Sequence, residues 1–212
     1  MDIPTCKGLG KVHWDFIGEY VLGTFQVFST NSIEQVVQKH NFHLMGKILI
    51  VINEASCTKE VFKAWWDKLK NLITDTTISI EPKFKDPFQI DNFLNYVILS
   101  NHKNSILLEN AKERRYWCLE VSEEKCQDFT YFDELRKKCF NQNVGNHFYT
   151  YMINYNPVVG ILECPETELK KEIVEMSMFS PLKFLLDIKK NMNTKSRNVL
   201  KTKIIQRNQK MS

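Results

Sequence analysis

Glycine and proline are scarce: the 212 residues hold 7 and 6 of them, against a usual share of roughly one residue in eight for the pair. That shortage excludes collagen-like and Pro/Gly-rich low-complexity chains, and it makes any place where glycines gather informative. Long apolar runs are absent too. Nothing approaches the roughly 18 residues a membrane span needs, and the polar N-terminus has no signal-peptide core. The six cysteines (Cys6, Cys57, Cys118, Cys126, Cys139, Cys164) contain no C-x-x-C pair, unlike a disulfide framework in a short secreted chain. These absences predict reduced cysteines and a cytoplasmic or nuclear protein with no membrane partner. A strong charge of one sign is also lacking, since the net charge is only +4. Its distribution is uneven. Lys189, Lys190, Lys195, Arg197, Lys201, Lys203, Arg207 and Lys210 lie in a tail without acids, so residues 1–188 carry 21 basic and 25 acidic side chains.

What is present is an ordinary globular composition, 43% hydrophobic and 25% charged, in a length that suits one core. Val12 to Leu22 repeats apolar residues at helical spacing (Trp14, Ile17, Val21) and stops at Gly23. Ile48 to Ile52 is a short, continuous, β-branched run, the pattern of a strand buried on both faces. Lys59 to Thr74 has a 3.6-residue apolar period through Val61, Phe62, Trp65, Trp66, Leu69, Leu72 and Ile73, which predicts an amphipathic helix. Thr77 to Glu81 and Phe88 to Phe93 alternate around a turn at Pro82–Pro87, which predicts a hairpin with a basic tip. Tyr96 to Ser100 reads as a second buried strand and Tyr116 to Val121 as a third. Helices follow to about residue 156 and again within Glu166 to Ile188. Buried strands alternating with helices predict an open α/β sheet with its ligand site along the strands' C-terminal edge.

Three elements on that edge can carry chemistry, and a fourth lies just before a strand. Gly8, Gly10 and Lys11 lie just before a helix, where backbone N–H groups and a lysine can cradle phosphate; a plain helix start has the same appearance. Asn53-Glu54 ends the first buried strand, where one side chain can hold Mg²⁺ through water and the next can polarise an attacking water. Asn101 ends another strand, where an amide can orient that water or simply cap the strand. Arg114-Arg115 precedes the expected third strand, where an arginine can reach a neighbour's site or sit solvated. His40 and His43 lack a suitably spaced third ligand, which argues against zinc. His147 lies on an aromatic stretch and reads as packing.

In this order the motifs resemble the helicase domain of superfamily 3, of the AAA+ type, in the viral and phage primase-helicase branch. The resemblance rests on Lys47 to Ala55 as the Walker B segment, Leu72-Ile73-Thr74 before Ile78 to Glu81, Lys83 to Phe88 in the hairpin, Asn95 to Asn101 as the sensor strand, and Glu113 to Trp117 as the arginine-finger segment. It covers most of residues 5–155. It implies a P-loop NTPase core with a central, mostly parallel sheet, a β-hairpin insertion and a C-terminal helical segment. On this reading residues 1–156 form the ATPase core, 157–188 the helical segment and 189–212 a basic flexible tail. It also implies ATP and Mg²⁺ as cofactors, a homo-oligomeric ring, usually a hexamer, and single-stranded DNA as partner. Gly8, Gly10 and Lys11 would bind the phosphates, Asn53 and Glu54 the magnesium, and Glu54, Asn101, Arg114 and Arg115 would serve catalysis. Lys83 and Lys85 would meet DNA phosphates while Phe84 stacks on a base or sugar.

The sequence departs from that family at three positions. Thr5 replaces a glycine, Val12 the magnesium-binding hydroxyl residue and Asn53 the usual Asp. The strand expected before the phosphate loop is missing or vestigial, as in an N-terminally truncated relative. Two expectations therefore stand together: an ATP-dependent DNA helicase domain for replication of a virus or mobile element, or a catalytically degenerate remnant that binds nucleic acid or co-assembles with an intact homologue.

Overall fold

The computed structural model describes residues 9–53, 59–101, 108, 113–155, 164–178, 184 and 188. The chain starts with α1 (Leu9–Phe16), which runs on into a π-helical turn at Ile17–Leu22. Gly23 ends it with φ 87°, a left-handed conformation that glycine adopts without a Cβ penalty. β1 (Val27–Thr30), α2 (Ile33–Val37), β2 (Leu49–Asn53) and α3 (Lys59–Thr74) follow. Next come the hairpin strands β3 (Thr77–Ile80) and β4 (Phe88–Asp91), then β5 (Asn95–Leu99). α4 (Phe129–Cys139), α5 (Gln142–Asn154) and α6 (Glu168–Ser177) complete the described elements. The fold is α/β, with a small parallel sheet and helices.

β1, β2 and β5 form that parallel sheet in the order β1-β2-β5. Every residue of the central β2 is buried, as expected for a parallel strand covered on both faces. Ile50 and Ile52 join one core with Trp66 and Leu69 of α3, Ile78 and Ile80 of β3, and Ile173 and Val174 of α6. β5 is only half-buried, because among the described residues no strand pairs with its outer side. The hairpin forms its own two-stranded antiparallel sheet with Ile80 opposite Phe88. Asn92 ties it to the end of α3, its Nδ2 donating to the carbonyls of Leu72 and Asp75 at 2.8 Å each.

Two expectations fail. Tyr116 to Val121 is not a strand. Its alternation is real, with Tyr116 and Cys118 buried and Trp117 and Leu119 exposed, but side chains around the start of α6 take its carbonyls. Cys164 Sγ donates to Tyr116 O at 2.9 Å, Thr167 Oγ1 donates to Cys118 O at 2.7 Å, and Lys170 Nζ donates to Glu113 O. Nor are all six cysteines reduced. Cys118, Cys139 and Cys164 are free, whereas Cys126 is disulfide-bonded to a partner outside the described residues. Helix within Glu166 to Ile188 is found where it is described, in α6 (Glu168–Ser177) and again at Phe184 and Ile188.

Candidate functional site

Three parallel strands bring their C-terminal ends to one edge. The register places Thr30 beside Ile52 and Asn53 beside Leu99, so the polar residues that follow each apolar run collect there. The first turn of α1 joins them. A Cβ on Gly10 would lie 3.5 Å from Leu99 Cδ2 and 3.6 Å from Val121 Cγ2, so this turn stands against the end of β5. Lys11, the third residue of α1, is exposed and has no ion pair among the described residues. Sequence reasoning thus placed Lys11, Asn53 and Asn101 along one edge, and the topology does the same. Gly8, Thr5 and Glu54 lie outside the described residues.

Asn53 is 7% exposed. Its Nδ2 donates to Ser29 Oγ on β1 at 2.8 Å, while its Oδ1 is buried without a partner. Magnesium takes oxygen ligands and commonly keeps water and substrate phosphates as most of them. One unpartnered amide oxygen fits such a cation as a minor ligand. Val12 adds no oxygen, and among the described residues no three His, Cys, Asp or Glu side chains gather as a metal site. Asn101 follows β5 in an exposed bend, and its side chain has no hydrogen bond among the described residues.

The helices behind this edge fix α1. Phe16 packs against Tyr20, Phe140 and Phe148, with ring centroids 5.6 to 6.0 Å apart. Gly145 of α5 lies so close to the π-helical turn that a Cβ there would be 2.1 Å from Tyr20 O. Between α1 and α4 an apolar cavity of about 290 Å³ opens, lined by Val12, His13, Phe16, Tyr131, Phe132 and Leu135 among others.

The two arginines differ. Arg115 Nη1 donates to both carboxylate oxygens of Glu113 at 2.8 Å, which holds it within its own chain. Arg114 is exposed and has no such partner among the described residues. The segment is rigid: Tyr116 stacks on Trp66 with centroids 4.5 Å apart, and the buried Lys170 reaches back to Glu113 O. Burial pushes the Tyr116 phenol above its ordinary pKa, helped by the Glu113 charge and opposed by Arg115.

At the hairpin, Lys83, Phe84 and Lys85 are all exposed. Phe84 has φ 63°, a left-handed conformation that costs a bulky residue about 1 kcal/mol or more. Its ring is fully in solvent, so no packing repays that strain. What sequence reading missed is the tie at the hairpin's base. Asn41 is buried, accepts from Glu81 N through Oδ1 and donates to Ser79 O through Nδ2, both at 2.8 Å. No local pattern marks a contact between residues so far apart in sequence.

Comparison with known proteins fits this architecture. The A-form apo structure of the NrS-1 C-terminal region matches with a TM-score of 0.64, 24% identity and coverage of 81% of this chain and 40% of that one. A second apo structure of the NrS-1 C-terminal region matches with a TM-score of 0.61, again at 24% identity, over 82% and 41%. At this identity the likeness is one of fold, and the chain spans about two fifths of those structures. No curated protein matches. A family model described as a family of unknown function, DUF5906, matches residues 7–115, more than half of the chain, and the chain belongs to that family.

Proposed function

We propose that this chain is the P-loop ATPase core of a superfamily 3 DNA helicase, a replication protein of a virus or mobile element that acts as a ring on single-stranded DNA. The observation that carries this reading is the sheet edge, where the Lys11 turn of α1, the end of β2 and the end of β5 meet. Open parallel sheets bind ligands at that edge. Lys11 binds the phosphates, and the apolar cavity beside Val12 and His13 offers the nucleoside a dry wall. Magnesium, when bound, neutralises charge on the phosphates. Asn53 contributes its unpartnered oxygen, Glu54 takes a proton from the attacking water, and Asn101 orients that water. Of the two arginines, Arg114, unpaired among the described residues, is the better candidate to enter a neighbouring subunit's site, since Arg115 is occupied by Glu113. The exposed tip, Lys83, Phe84 and Lys85, faces the DNA.

Glu54→Gln tests this directly: DNA-stimulated ATP hydrolysis is abolished and nucleotide binding, followed by calorimetry, is retained. Wild-type protein that hydrolyses no ATP with Mg²⁺ and single-stranded DNA would sink the reading.

A second reading, a helicase-like remnant that binds nucleic acid or co-assembles with an intact homologue, draws on Val12 and on the neutral Asn53. Absence of magnesium-dependent ATP binding by the isolated chain favours it.

A further inference from the structure

Below the hairpin tip lies a groove of about 480 Å³ that extends past the hairpin motif to His40, Phe42 and His43. This is within the roughly 300–1,000 Å³ range of built small-ligand sites. One wall is the turn between α2 and β2, presenting His40, Phe42 and His43; the other is the hairpin, presenting Pro82, Lys83, Lys85 and Phe88. Asn41 bolts the two walls together through its paired bonds to Ser79 and Glu81. His43 is fixed as well, its Nε2–H donating to Gln35 O at 2.8 Å while its ring lies 4.7 Å from that of Phe28.

Phe42 and Phe88 line this groove while 55% and 40% exposed. Lys83 and Lys85 stand over them without ion pairs among the described residues. The one acid in the lining, Glu81, faces Lys39 at 3.9 Å. Exposed aromatic faces beside uncompensated lysines complement a flexible polyanion whose bases are unpaired. Proteins hold single strands in this way, stacking bases on aromatic rings while cations follow the backbone. A rigid duplex cannot offer its base faces to such a groove.

We propose that this groove is a second contact for single-stranded DNA, with a base stacked on Phe42, the more exposed of the two rings, and the adjoining phosphates on Lys83 and Lys85. The strand then passes from the tip, where Phe84 stands, down the hairpin's flank. The proposal rests on the reading that the hairpin faces DNA.

The test uses the full chain and a fluorescein-labelled oligothymidylate, followed by anisotropy across a salt series. Phe42→Ala weakens binding about tenfold at every salt concentration and leaves the salt slope unchanged, because stacking releases no counterions. Phe42→Tyr binds as wild type. Phe42→Leu keeps apolar bulk, so it guards against a folding defect, and it too weakens binding. Lys83→Ala/Lys85→Ala lowers the slope by roughly 1.4, about 0.7 for each lost phosphate contact. If the lysine pair matters and both Phe42→Ala and Phe42→Leu bind as wild type, the groove is wrong and the hairpin reading survives. If neither set changes binding, both fall. Loss of self-association in Phe42→Ala with unaltered DNA affinity would assign the groove to a second copy and overturn the proposal.

Discussion

The sheet edge and the hairpin end are built on opposite terms. At the sheet edge several informative side chains are held by the fold: Asn53 is buried and half satisfied by Ser29, Arg115 is held by Glu113, and Lys170 is buried with its amine on Glu113 O, while Lys11, Asn101 and Arg114 stay exposed. At the hairpin end they are pushed out. Phe84 stands wholly in solvent in a left-handed conformation, and Lys83 and Lys85 have no acidic partner among the described residues. The fold thus spends packing and hydrogen bonds on positioning the first region and accepts strain and exposure in the second. The described departures from the superfamily 3 pattern, Val12 and Asn53, both fall on the sheet-edge end. A chain whose nucleotide end had eroded could still keep its hairpin, so the two ends are separable by experiment.

The sharpest separation uses Gly145. An alanine Cβ would sit 2.1 Å from Tyr20 O, and since the obstacle is backbone, α5 and the π-helical turn must part. The expected loss is about 3 kcal/mol or more, read as a lowered urea midpoint. ATP binding falls with it because α1 carries Lys11. Hairpin binding to oligothymidylate changes little if the ends are independent, and a parallel loss of DNA binding would break the comparison.

Lys170→Ala comes next. Its amine is the donor to Glu113 O in a buried setting, and leaving that carbonyl unpaired costs about 1–3 kcal/mol. The freed segment repositions Arg114, so ATP turnover by assembled protein drops more than ATP affinity does. Equal losses in both would show Lys170 to be merely structural.

The elements that were legible in the sequence share one property: their signal is local. β2 is a continuous β-branched run, α3 keeps a 3.6-residue period, and the hairpin alternates around a Pro-bounded turn; each formed with bounds within a few residues of its pattern. The failures are non-local. Tyr116 to Val121 alternates because alternate residues are buried, yet a ladder needs a partner strand, and here Cys164 and Thr167 take the carbonyls of Tyr116 and Cys118 instead. Asn41 reads as an ordinary loop residue until it is found bonded to Ser79 and Glu81. Along the site, the convergence of Lys11, Asn53 and Asn101 followed from strand order alone. The difference between Arg114 and Arg115 did not, although Glu113 two residues earlier was the signal available.

Asn53→Asp is a smaller and more pointed change. It restores the carboxylate of the family pattern at a buried position that already offers one bond, from Ser29, and an unpartnered oxygen. Without metal, a desolvated carboxylate is costly, so the variant is destabilised by about 1–3 kcal/mol. With Mg²⁺ and nucleotide present the order reverses, and the variant binds magnesium-ATP more tightly than wild type. If calorimetry shows no gain, the sheet edge is not a magnesium-nucleotide site, while the hairpin end is untouched.

The smallest effect concerns two phenols of the sheet end. Tyr96 on β5 and Tyr116 beside the arginines both bury hydroxyls without partners. Burial raises both pKa values above the ordinary value of about 10. A raised folded-state pKa means that the folded protein keeps protons the unfolded chain gives up. Their contribution to stability is therefore complete below about pH 10 and is lost as the pH climbs through the folded-state values. Tyr96→Phe and Tyr116→Phe remove that alkaline loss, so their urea midpoints decline less than wild type above pH 10. At neutral pH each change stays within about 1 kcal/mol and leans toward stabilisation, because an unpartnered buried hydroxyl is replaced by hydrogen. A neutral-pH loss well beyond that would show that the hydroxyls do find partners, and would make the sheet end as polar in its interior as the hairpin is at its surface.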